Sequence, residues 1–98
     1  MIGTPLPIRD DAKPRLANGV RLVNSPAHDG WVLLAPERVF KADTVAHEIL
    51  SLCSGERTFA AIVDDLAARF SAPRDRIAAD VAALLNGLLA QRLVEFSA

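Results

Sequence analysis

Strands first and helices after: this order in the 98-residue chain predicts an α+β fold, a three-stranded antiparallel meander followed by a three-helix bundle. Three observations carry the prediction. Short apolar runs punctuated by Gly, Pro and Asn occupy residues 19–42, and segments of helical period occupy 43–91. The two kinds of segment do not alternate, which argues against a parallel sheet with crossover helices. A hydrophobic fraction of 51% with 23% charged residues is that of one globular domain with a modest core, and with 5% aromatics that core must be aliphatic.

Residues 1–17, "MIGTPLPIRDDAKPRLA", hold three of the six prolines and show neither period, so they are expected to form a flexible or extended N-terminal arm before a domain at 18–96. "GVRLVN" (19–24) alternates Val20 and Leu22 against Arg21 and Val23, and "GWVLLA" (30–35) is apolar on both faces. "SPAHDG" between them has the turn residues of a hairpin connection. Pro36 has no N–H for a ladder, so the second strand ends there and "RVFKA" (38–42) becomes a short third strand.

Asp43 or Thr44 can cap the first helix, whose apolar positions are Val45, Ile49, Leu52 and Cys53, with Gly55 as the left-handed residue that stops it. Thr58 caps the second, with Phe59, Ile62, Val63, Leu66, Ala67 and Phe70 on one face and Asp64, Asp65 and Arg69 on the other. Pro73 suits the first turn of the third helix, which runs to about Gln91. With Ile77 at zero and about 100° per residue, its large apolar side chains cover roughly 340° through 120°. Alanines extend that arc, leaving a narrow polar strip of Arg76, Asp80, Gly87 and Gln91. "LVEF" (93–96) forms an extended tail or a small added strand.

Chemistry-bearing groups do not converge. His28 falls in a turn, and His47 has Ser51 rather than a metal ligand four residues on. Cys53 sits at a helix C-terminal end, where the dipole disfavours thiolate, and it continues an apolar stripe. Asp64 and Asp65 point about 100° apart on a helix, as a solvated face does. The five glycines are scattered, so there is no phosphate loop, and the single cysteine excludes an internal disulfide and a multi-cysteine cluster. The expectation is a protein that is not an enzyme and takes no cofactor or metal. A net charge of -1 gives no attraction to nucleic acid or anionic membrane, no apolar stretch approaches a bilayer span, and the N-terminus lacks a secretory pattern, so a soluble, cytoplasmic protein is expected.

Three binding classes fit a small sheet with three helices. The arrangement resembles winged helix-turn-helix domains, but a DNA-reading third helix needs polar and basic residues aimed at bases and phosphates. Here the centre of that helix is "IAADVAALLNGLLA". The second class is peptide binding. The 38–42 strand is the edge of the meander, and a peptide can add there as a further strand, with the third helix closing a groove. The third is self-association, by pairing of that edge with its own copy or by a strand swap; a monomer is the default.

The stretch from Lys13 to Glu95 resembles the PqqD family, the small peptide chaperones of pyrroloquinoline quinone (PQQ) biosynthesis. The most specific segments are "WVLLAPERV" (31–39), "ILSLCSGERT" (49–58) and "DVAALLNGLLAQRLVE" (80–95). Ser54 stands where the family often has an acidic residue. The resemblance implies a non-catalytic recognition element for a ribosomally made precursor peptide. It would bind PqqA by strand addition and present it to the radical S-adenosylmethionine enzyme PqqE. By position, Val39, Phe40, Lys41 and Ala42 would supply the strand edge, and Arg74, Ile77, Ala78, Val81 and Leu85 the helix side.

Overall fold

The computed structural model of the chain describes residues 8–97. Strands β1 (Lys13–Leu16), β2 (Arg21–Ser25), β3 (Gly30–Ala35) and β4 (Arg38–Ala42) precede helices α1 (Thr44–Leu50), α2 (Phe59–Phe70) and α3 (Arg74–Ala90), and β5 (Val94–Ser97) follows. The class is α+β, as the segregated periodicities require.

β2, β3 and β4 form the expected antiparallel meander in that order. Its register aligns Leu22, Leu33 and Phe40 across one face, and this row meets the buried cluster of Ile49, Leu50, Phe59, Ile62, Val63, Leu66, Val81, Leu85 and Leu93. A one-residue slip would turn all three side chains away from that cluster, so burial pins the register. A short 3-10 turn, Pro26–His28, joins β2 to β3, with Asp29 left-handed at its end. Pro36 and Glu37 make the tight turn into β4, Glu37 taking φ 61° at the second central position as a type II turn demands.

The second sheet was only half expected. β1 pairs antiparallel with β5, Lys13 opposite Ser97 and Leu16 opposite Val94, and Arg15 is ion-paired with Glu95. Residues 13–16, expected within the arm, are therefore a strand with Pro14 fully buried, whereas residues 1–7 of that arm lie outside the described residues. The segment just before β1 also closes α2. Phe59 and Ala60 N–H donate to the carbonyls of Ala12 (2.7 Å) and Asp10 (3.1 Å). Ala61 N–H donates to Thr58 Oγ1 at 3.1 Å and Ile62 N–H to Thr58 O at 3.0 Å. Three of the N–H groups that a helix start leaves open, those of Phe59, Ala60 and Ala61, are thus satisfied, and the Ile62 bond is the first of the regular helical ladder.

α3 ends in a Schellman turn. Arg92 is left-handed at φ 61°, its N–H donates to Leu89 O at 3.0 Å, and Leu93 N–H donates to Leu88 O at 2.9 Å. The turn drives Leu93 into the core with no exposure, and Leu93 O accepts from Ala17 N–H at 2.9 Å, tying the helix end to β1.

Three local expectations need correction. Gly55 does not stop α1, which ends at Leu50 with Ser51 as its cap. Gly55 (φ +87°) instead lets the chain pass close to the β1–β5 sheet, where an added Cβ would lie 2.9 Å from Ser97 Oγ and 3.3 Å from Arg15 Cβ. Val45 and Phe70, read as core-facing, are 61% and 55% exposed. Val45 lies in the first turn of α1 on the rim of a cavity that no element covers, and Phe70, the last residue of α2, lines the same cavity.

Two glycine variants should move stability in opposite directions in urea unfolding. Gly55→Ala forces a positive φ on a side chain with no room and should cost about 1–3 kcal/mol. Gly87→Ala, inside α3 where a Cβ meets nothing within 4 Å, should stabilise by about 0.5–1 kcal/mol.

Candidate functional site

Among the described residues β4 pairs with β3 alone and is an open edge of its sheet. Ala35 and Arg38 close the two-residue turn as a pair. Hydrogen-bonded and non-bonded pairs alternate from there, so Arg38, Phe40 and Ala42 direct their backbone groups at β3. Val39 and Lys41 turn theirs outward. Their side chains also face away from the core, Val39 being 47% exposed, while Ala42 is 9% exposed and Phe40 packs on the core cluster.

One hydrogen-bonded contact and one shared cavity relate β4 and the start of α1 to α3. At the start of β4, the Arg38 guanidinium donates to Gln91 Oε1 at 3.3 Å and to Gln91 O at 3.0 Å, and it lies 5.2 Å from the Phe40 ring centroid. A cation on the last carbonyls suits a helix C-terminus. Just past its end, Thr44 and Val45 share a cavity of about 180 Å³ with Ile77, Asp80 and Val81 of α3. Arg38 to Thr44 spans about 20 Å of extended chain, and Gln91 back to Asp80 about 16 Å of helix. The start of the strand therefore meets the C-terminal end of α3, and the residues just past its end share a cavity with the middle of that helix.

The α3 stripe that follows this line is Ile77, Asp80, Leu84 and Gln91, which lie within about 60° of one another around the helix. Leu84 is partly buried and packs against the core cluster. Asp80 and Gln91 belong to the polar strip of α3 that the helical wheel shows, and Leu84 to its apolar arc. Of the residues expected on the helix side, Ile77 lines the cavity, and Val81 forms the cavity wall at 1% exposure. Leu85 is fully buried in the core and Ala78 packs against it, about 100° round from that stripe. Arg74 reaches α2 instead: its Nε donates to Asp64 Oδ1 at 2.6 Å, and this bond and the charge of Asp64 raise its pKa above the ordinary value.

No group of three or more His, Cys, Asp or Glu among the described residues is placed to hold a metal. His47 stacks on Trp31, ring centroids 4.1 Å apart, and Asp65 meets Arg69 and Arg57 at 3.4 and 3.8 Å. Burial pushes the Cys53 thiol up to about 12, and its S–H donates to Ile49 O at 3.3 Å. Within the described residues no helix is long and apolar enough to cross a membrane.

The fold and the open edge of β4 define a small winged-helix-like module. Residues 30–94 match the family model described as coenzyme PQQ synthesis protein D (PqqD). A PqqA binding protein from Rhodopseudomonas palustris (strain HaA2) is 41% identical over 88 residues, covering 90% of this chain and 86% of its own. One from Xanthomonas axonopodis pv. citri is 44% identical over 87 residues, covering 89% and 95%. Among solved structures, the PqqD truncation of Methylobacterium extorquens PqqCD, described as a functional, stand-alone recognition element for ribosomally synthesized and post-translationally modified peptides, superimposes with a TM-score of 0.73. It is 39% identical, over 87% of this chain and 89% of that one. PqqD from Xanthomonas campestris gives 0.56 at 41% identity, covering 89% and 97%. The chain belongs to the PqqD family.

Cys53 should resist modification. At pH 8 an aromatic disulfide reagent should label the native thiol at a small fraction of its rate in urea-unfolded protein, because little thiolate exists and the sulfur is enclosed. Equal rates would contradict the burial.

Proposed function

We propose that this protein is a non-catalytic peptide chaperone of PQQ biosynthesis. It binds the precursor PqqA as a strand added to β4, in the groove closed by α3, and presents it to PqqE. The observation that carries the reading is the edge itself: outward N–H and C=O groups at Val39 and Lys41, in a strand whose first residue is bonded to the end of α3. Main-chain hydrogen bonds to such an edge give affinity for any extended peptide, and the helix wall selects among side chains. Relatives named as PqqA binding proteins and a solved relative described as a peptide recognition element support the ligand.

The mechanism is positional. A flexible substrate held on a folded module reaches the modifying enzyme at raised effective concentration, with no bond made or broken by the module. Micromolar binding, about -8 kcal/mol, would hold the peptide and still release it after modification. The protein acts in the cytoplasm, as a monomer.

Titration of isotope-labelled protein with PqqA should shift amides at 38–42 and along the α3 stripe 77–91. Lys41→Pro removes an outward N–H while sparing the ladder to β3, and should weaken binding tenfold or more with the fold kept. Absent shifts at saturating peptide would overturn the reading, and self-pairing of the β4 edge would then be examined by sedimentation.

A further inference from the structure

We infer that the cavity where α1, α2 and α3 meet is an anchor subsite for the bound peptide. It takes one large apolar side chain, with an adjoining Lys or Arg of the peptide held by Asp80. The inference deepens the reading above and rests on it.

The cavity is lined by Thr44, Val45 and Glu48 of α1, Leu66 and Phe70 of α2, and Ile77, Asp80 and Val81 of α3, with Ile49 at its floor. Three large apolar side chains are exposed among the described residues, Val39, Val45 and Phe70. Two of them converge here and the third is on the β4 edge. Exposed apolar groups that cluster around one concavity mark a binding surface more strongly than the same groups scattered. The volume of about 180 Å³ suits one branched aliphatic or aromatic side chain, since a buried apolar space of about 150 Å³ accommodates benzene.

Position identifies the occupant. The cavity opens where β4 passes into α1, so a strand added to β4 reaches it at the end that leaves the edge beside Thr44. Charge narrows it further. Of the two acids on the rim, Glu48 accepts from Arg69 Nη1 at 2.9 Å. Asp80 makes no ion pair among the described residues. An unpaired carboxylate beside an apolar concavity complements a cation next to an apolar residue, and disfavours an acidic neighbour.

The test uses the full chain and PqqA, with affinity by calorimetry and amide shifts as separate readouts. Phe70→Ser and Val45→Ser change exposed side chains and leave the core intact. Each should weaken PqqA at least fivefold while the shifts at 38–42 persist. Asp80→Lys should weaken it similarly, and a PqqA variant with the adjoining cation changed to Glu should restore affinity to Asp80→Lys alone. Unchanged affinity in all three variants, with the β4 shifts intact, would overturn the subsite and leave the strand-addition reading standing. A loss of dimer in Phe70→Ser, seen by sedimentation, would also overturn it by making the cavity a self-association surface. Absent β4 shifts in the unmodified protein would remove the reading on which it rests.

Discussion

The C-terminal end of α3 is the point at which the rest of the structure is joined. Its Schellman turn places Leu93 in the core without exposure and sends the chain back to pair with β1. β1 is continuous with the segment whose carbonyls close the start of α2. On the other side of the same helix end, Gln91 receives Arg38 and fixes where β4 begins. One turn of chain thus supports the second sheet, the orientation of α2 and the start of β4. Arg92 carries the positive φ that makes this possible, at a conformational cost that a glycine there would not bear.

Holding a strand in place while leaving its outer edge unpaired is a conflict, because an edge gains most by being covered. The structure resolves it by anchoring β4 through groups that do not use that edge. β3 takes the inner backbone groups, the core takes Phe40 and Ala42, Arg38 takes the helix end and Asp43 caps α1 by accepting from Ala46 N–H at 2.8 Å. Lys41 stays exposed on the strand, a charge that discourages indiscriminate pairing.

Much of this was legible in the sequence. The meander, the three helices and the caps at Asp43 and Thr58 follow from local period and local hydrogen bonding, which act over a few residues. β1 was not, because Pro14 interrupts any ladder pattern and its partner lies some 80 residues away, where only tertiary packing can pair the two. On α3 the apolar arc contains both fully and partly buried positions. Nothing local tells Leu84 from Leu85; tertiary packing does, enclosing Leu85 completely and Leu84 only in part. The same limit applies to Val45 and Phe70, which keep the helical period of buried residues yet sit where no element covers them.

The pairing of β1 with β5 has a wider consequence. Because Lys13 lies opposite Ser97, the first and last strands of the described residues lie side by side, on a sheet separate from the one that carries β4. A module whose first and last strands are neighbours can be grafted onto the end of another protein, or spliced into a loop, without stretching or reorienting either host or guest. Its recognition edge would travel with it unaltered, so a single evolutionary event could give an enzyme its own substrate-gathering arm.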